Sequence, residues 1–417
     1  MVAERTPPPR STRILLGIGI LAGLSVYLLT PVEQPAQLML ATDVYHHATS
    51  AFLDGGNLYN NHPPDRSGYN FLYPPITVLL FLPHVLTGSA VGAFVLQTLL
   101  NIAAALGTTV VIIRALERRA IAITRIDTIL IVLLLLASSY GAIQVINGQV
   151  NLWLALFLAI GFDAFDRDRT RITGIVFALA ALLKVFPAIL GLWLLRLRAW
   201  WAVGAAIATG LGGLLLGILL FGPELTMTYF VDVLFARFGD STYDGQPTPT
   251  DNVDGIHRQL AALWPAGSMY FTPISVLIIG SLLAGSYTSV STRYDRDVAA
   301  LATICAILLF LPLQPLYFPL ITFPLCMLLF RTHDTGIKWA LTIGTLFTFI
   351  HIDLQAIDLW LSVVPTPDVI ADGLVSVATA IFTVILPPTI GLWILFLTCV
   401  WMQLSDWHPS VYDDITE

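Results

Sequence analysis

The stretch RITGIVFALAALLKVFPAILGLWLLR, residues 171–196, decides how this chain folds. A helix of roughly 20 apolar residues spans a bilayer, so length alone reads as one crossing. Charge argues against that: Arg171 and Arg196 bracket the stretch, and short loops rich in Arg and Lys stay on the cytoplasmic side. Lys184-Val185-Phe186-Pro187 breaks its centre, because proline ends a helix. Two half-helices of about a dozen residues, rising 1.5 Å per residue, reach part-way across and return. The reading is a re-entrant hairpin with Lys184 at its external tip.

The rest of the chain fits a membrane setting. Hydrophobic residues make up 56% and charged residues 11% of 417, against about 25% charged in a soluble domain. A net charge of −7 gives no basic footprint for nucleic acid. Cys305, Cys326 and Cys399 each lie inside an apolar run and read as small buried hydrophobes. Apolar runs occur near 14–31, 91–113, 126–142, 150–165, 201–221, 272–291, 298–313, 316–330, 339–357 and 374–402. The first reads as a retained transmembrane helix, since no small-residue cleavage site follows it.

Arginines cluster at 5–13, 114–125, 167–171, 196–198 and 293–296, with Arg331 and Lys338 beyond. All fall inside if Phe71–Thr87, punctuated by Pro74, Pro75 and Pro83, also dips and returns. The expectation is an all-α polytopic membrane protein of about 10–13 transmembrane helices, re-entrant or broken hairpins included. It forms one domain over 1–404, with external loops 32–90 and 222–271 and an acidic cytoplasmic tail at 405–417. Both termini are then cytoplasmic, and polar residues other than arginine gather on the external face.

Asp43 opens the polar segment after the first run. It suits a helix N-cap, and a partly desolvated carboxylate also suits a general base. Tyr45 and His46 follow it; His46 and His47 are adjacent and point different ways on a helix, so at most one faces a site. Tyr73-Pro74-Pro75 suits a helix start with an aromatic anchor. Asn147-Gly148-Gln149-Val150-Asn151 suits a capped turn, and its amides also suit sugar hydroxyls. Lys184, one of two lysines, suits a phosphate oxygen better than a snorkelling role. Asn252, His257 and Arg258 lie in the long loop, with Arg258 a second phosphate candidate. The acidic residues Asp232, Asp240, Asp244, Asp251 and Asp254 there offer a rival base or metal site, although their spacing fits neither an EF-hand nor zinc. No phosphate-binding glycine loop or GxSxG elbow is present.

In order and spacing these motifs resemble glycosyltransferase family 87, polytopic enzymes of GT-C fold. The resemblance is carried by Asp43-Val44-Tyr45 and by Ala51-Phe52-Leu53-Asp54-Gly55-Gly56-Asn57-Leu58-Tyr59. Tyr73-Pro74-Pro75, Gly148-Gln149-Val150-Asn151 and Lys184-Val185-Phe186-Pro187 complete it. Where family members carry a histidine near a late external turn, this chain has Gln314-Pro315-Leu316-Tyr317, and Tyr317 is the polar group it offers. The resemblance implies inverting transfer of a sugar, mannose by analogy, from a polyprenyl-phosphate donor to a lipid- or glycan-linked hydroxyl. Asp43 is then the base and Lys184, with Arg258, meets the leaving phosphate; no metal or other cofactor is implied. Membrane lipids are the surroundings. A transporter or lipid flippase, or a silent partner of a glycosylation complex, are the rival readings; inverted repeats, expected of a transporter, are not evident.

Overall fold

In the computed structural model the described residues are 10–236, 245–251, 253, 255–311, 315–349 and 352–405. Helices α1 (Arg10–Glu33), α2 (Leu40–Leu53), α3 (Val78–Leu86) and α4 (Ala90–Arg118) open the bundle. Next come α5 (Arg125–Ala137), α6 (Ser139–Asn147), α7 (Asn151–Asp166), α8 (Thr170–Leu183) and α9 (Leu190–Arg196). Then follow α10 (Trp200–Phe221), α11 (Pro223–Thr228), α12 (Ile256–Leu263), α13 (Ser268–Gly285) and α14 (Arg293–Phe310). The chain closes with α15 (Thr322–Arg331), α16 (Thr335–Phe349), α17 (Leu354–Val363), α18 (Asp368–Val384) and α19 (Pro387–Leu404).

Five of these helical stretches are each long and apolar enough to cross a membrane, and a sixth span results if α5 and α6 are taken together. Shorter apolar helices lie at Pro75–Leu86, Thr170–Leu183, Phe186–Arg196 and Leu316–Arg331. Two runs read as continuous are broken. The 126–142 run bends by 55° at Ser138, whose hydroxyl accepts a hydrogen bond from Gly141 N–H at 3.2 Å and starts α6. The 374–402 run stops at Val384 and restarts at Pro387. Pro387 and Pro388 lack the N–H groups that would continue α18, and they suit the first turn of α19.

Ion pairs collect the arginine clusters at one end of the bundle. Arg13 Nε lies 2.7 Å from Asp127 Oδ1. Asp297 lies 3.2 Å from both Arg119 and Arg331, and Arg119 also meets Asp166, so α4, α7, α14 and α15 are clasped together. Arg196 Nε donates to the Tyr287 carbonyl at 2.7 Å. The amide turn after α6, Lys184 and Leu316–Tyr317 lie at the opposite end, because α7 runs from Asn151 there to Asp166 among the arginines.

The 171–196 stretch is accordingly a hairpin. Its first arm, α8, ends at Leu183; Lys184 is extended (φ −146°, ψ 129°), and a 3-10 turn at Phe186–Ile189 leads into α9. Gly174 lets α8 lie against α10, since a Cβ there would sit 2.0 Å from the Ala202 carbonyl oxygen.

This geometry makes Arg169 and Arg198 neighbours of one membrane face. With the three buried cysteines replaced by alanine, Arg169→Cys and Arg198→Cys should react with an impermeant maleimide from one side. Asp54→Cys should react from the other. Labelling of 169 and 198 from opposite sides would mean that the stretch crosses once.

Candidate functional site

Helix α2 begins at a strained residue. Met39, its N-cap, is left-handed (φ 61°, ψ 7°), a conformation a side chain adopts only when its surroundings impose it. Its N–H donates to the Ile146 carbonyl at 2.8 Å, and Thr42 Oγ1 donates to the Gly148 carbonyl at 3.2 Å. The start of α2 is thus docked on the end of α6. Gly148 closes α6 with φ 69°, its N–H on Val145 and that of Gln149 on the Gln144 carbonyl at 2.9 Å. That double bond is the usual glycine-dependent helix ending. A Cβ on Gly148 would lie 1.7 Å from Thr42 Oγ1.

The turn presents Gln149 inward. Its side-chain oxygen accepts from Tyr45 OH at 3.2 Å, and Tyr45 OH shares a 2.7 Å hydrogen bond with Tyr73 OH. Its backbone carbonyl accepts from Asn101 at 3.0 Å and Gln97 at 3.3 Å, both on α4. His84 Nε2 meets Gln97 Oε1 at 2.9 Å. His84, Gln97 and Asn101 are fully buried. Burial pushes the phenols of Tyr45 and Tyr73 up, so both stay protonated donors. Tyr59 OH donates to the Tyr73 carbonyl at 2.9 Å and fixes that residue from the loop side.

Lys184 completes this group. Its Nζ donates to Tyr317 OH at 3.2 Å and lies 4.5 Å from the Tyr317 ring centroid and 5.7 Å from that of Tyr73. Tyr317 is delivered there because Asn151 Nδ2 and Gln144 Nε2 both donate to the Leu316 carbonyl. Asn151 is therefore bonded into the fold through its amide nitrogen, while its Oδ1 and the Nδ2 of Asn147 are buried with no hydrogen-bond partner.

Asp43 shares α2 with Tyr45 but not its direction. Residues two apart on a helix point about 200° from each other. Its Oδ2 accepts from Arg66 Nε at 2.9 Å. His46 lies on Asp43's side of the helix; burial lowers its pKa, with His47 adding to the effect and the Asp43 charge opposing it. The structure thus brings Tyr45, Tyr73, Gln149, Asn151, Lys184 and Tyr317 together, and holds Asp43 away from them, on nearly the opposite side of the same helix, where it pairs with Arg66.

Two residues of the long loop stand elsewhere. Arg258 is fully buried and spends its guanidinium on the carbonyls of Thr248 (2.7 Å), Asp251 (2.8 Å), Val253 (3.0 Å) and Phe382 (3.1 Å). The phosphate contact read for it from sequence does not fit these surroundings: its donors hold α12 to α18. His257 faces the rings of Phe271 and Phe310, and burial lowers its pKa. Asn252, with Asp240, Asp244 and Asp254, lies outside the described residues. Sequence reasoning passed over Arg66, His84, Gln97 and Asn101. The last two sit one turn apart inside an apolar run, which is a signal of its own.

The model of glycosyltransferase family 87 matches residues 71–315, more than half of the chain. A curated relative is the polyprenol-phosphate-mannose-dependent alpha-(1-2)-phosphatidylinositol mannoside mannosyltransferase of Mycobacterium tuberculosis (strain ATCC 25618 / H37Rv), 26% identical over 298 residues. The match covers 66% of this chain and 65% of that protein, so just under two thirds of the relative's length is spanned.

The turn at Gly148 should tolerate no side chain. Gly148→Ala should destabilise the protein by about 1–2 kcal/mol from the left-handed backbone alone, with the Thr42 clash added, read as a lower thermal midpoint in detergent. A midpoint equal to wild type would mean that α2 and α6 are not docked through this turn.

Proposed function

This chain belongs to glycosyltransferase family 87, and on that premise we propose that it moves a sugar from a polyprenyl-phosphate donor to a hydroxyl of a lipid- or glycan-linked acceptor. The donor class and mannose as the sugar rest on the mycobacterial relative's name. The reaction takes place at the bundle end opposite the arginines, the external side by the positive-inside rule.

The observation that carries this reading is Lys184. It is a half-buried cation between Tyr73 and Tyr317, and among the described residues no ion pair neutralises it. An ionisable group kept uncompensated at membrane depth marks a site for a ligand of the opposite charge. A donor phosphate suits it, and the amides of Gln149, Asn147 and Asn151 suit sugar hydroxyls.

In the proposed step Asp43 takes the proton of the acceptor hydroxyl. The acceptor oxygen bonds to the anomeric carbon as the carbon–oxygen bond to phosphate breaks, with inversion. The electron pair leaves on the phosphate, whose growing charge Lys184 stabilises. The proton on Asp43 passes to water, and polyprenyl phosphate departs.

Purified protein with radiolabelled polyprenyl-phosphate mannose and a membrane lipid extract tests this. Loss of a general base typically costs about 10²–10⁴-fold in rate, so Asp43→Asn should lose nearly all transfer. Lys184→Ala should fall by about 10²–10³-fold. Transfer by Asp43→Asn at the wild-type rate would move the base elsewhere. Absence of transfer by wild type across several sugars would favour a transporter or a silent partner of a glycosylation complex.

A further inference from the structure

The guanidinium of Arg66 makes three contacts to a single short segment. Nε donates to Asp43 Oδ2 at 2.9 Å, one terminal nitrogen donates to the Leu38 carbonyl at 2.8 Å, and the other donates to the Ala36 carbonyl. Arg66 belongs to the loop after α2, 23 residues along the chain from Asp43. Both side chains are largely shielded, 17% exposed for Arg66 and 22% for Asp43.

The segment it grips is the strained one. Met39 is left-handed, and its two neighbours on the N-terminal side are fixed by the Arg66 bond to Leu38 and by a turn in which Leu38 N–H meets the Pro35 carbonyl. Asp43 N–H in turn bonds the Met39 carbonyl at 2.8 Å. The carboxylate is thereby held twice, directly through Oδ2 and through the backbone that begins its helix. Among the described residues the hydrogen bond to the Asp43 carboxylate falls on Oδ2 and none falls on Oδ1. A flat guanidinium fork sets such an orientation in a way that an ammonium does not.

We propose that Arg66 is a positioning residue for glycosyl transfer: it fixes the rotamer of Asp43 so that Oδ1 is presented to the acceptor hydroxyl. The inference rests on Asp43 being the base. In this role Arg66 acts through Asp43 and the 36–38 carbonyls it holds, not on the substrates. Its removal therefore lowers turnover and leaves donor and acceptor KM near wild type.

The test compares wild type, Arg66→Ala, Arg66→Lys and Asp43→Asn in the same transfer assay, with thermal midpoints measured in parallel. Arg66→Ala should lose about 100-fold in kcat, the scale of misplacing a catalytic group. Millimolar guanidinium should restore part of it saturably, where sodium chloride of equal ionic strength does not. A role confined to loop stability predicts no such rescue. Wild-type kcat in Arg66→Ala overturns the inference, and so does a loss that guanidinium leaves untouched in a variant melting as wild type. Should Arg66→Ala not fold, Arg66→Lys decides: lower kcat at unchanged KM supports positioning, and wild-type kcat refutes it. Full activity in Asp43→Asn removes the base reading itself, whereas an inactive Asp43→Asn beside a fully active Arg66→Ala removes the Arg66 role alone.

Discussion

The carbonyl of Gln149 is the point on which the polar end of this bundle depends. It closes a turn between two apolar helices, and a backbone group buried there without a partner would cost of order 1–3 kcal/mol. Asn101 and Gln97 supply its donors from α4, and His84 holds Gln97 in turn. Once the turn is fixed, its other groups have fixed directions. Gln149 faces Tyr45, Gly148 receives Thr42, and Asn151 holds the Leu316 strand of chain that carries Tyr317. The bonded members of this network rigidify their surroundings, while His84 Nδ1, Asn147 Nδ2 and Asn151 Oδ1 are buried without a partner among the described residues.

The opposite end is held by charge. Asp297 between Arg119 and Arg331 ties α14 to α4 and α15, and the Arg119–Asp166 pair adds α7. Buried ion pairs add little net stability over apolar packing, yet breaking one leaves an uncompensated charge. Their effect here is on arrangement: they bring the arginine-bearing ends of α4, α7, α14 and α15 together, and Arg196 reaches the same end through the Tyr287 and Thr288 carbonyls. Polar recognition groups are left to the other end, where no arginine cluster competes for an anion.

Much of this was legible in the sequence. Arginine placement with the Lys184–Pro187 break implied the hairpin, because a charge on each side of an interrupted apolar run leaves few topologies. The rarity of lysine singled out Lys184, and glycine between amides marked the turn. Ser138 and Pro387-Pro388 were passed over because a hydropathy run counts apolar residues, whereas a helix ends where one N–H is missing or recaptured. Gln97 and Asn101 were hidden for the same reason, in a run apolar enough to absorb them. Arg258 shows the converse. A cation in a polar loop reads as a ligand for phosphate, but its value to the fold came from carbonyls of residues 248–253 and 382, and no local pattern reports a partner 124 residues away.

A site that binds an anion beside a catalytic carboxylate must keep its own charges from cancelling. Opposite charges 4 Å apart attract by about 4 kcal/mol near a protein surface, so a direct Asp43–Lys184 pair would have to be broken by each incoming donor. Helix α2 separates them by its own geometry. Tyr45 points toward the lysine's aromatic bracket and Asp43, two residues earlier, points toward Arg66. Lys184 is left with hydroxyl and ring neighbours that stabilise a cation without neutralising it. Asp43 is left with a cation that occupies one oxygen and spares the other. Lys184 thus keeps a side open to an anion, and Asp43, already paired with Arg66 through Oδ2, keeps its other oxygen for the hydroxyl of the proposed reaction.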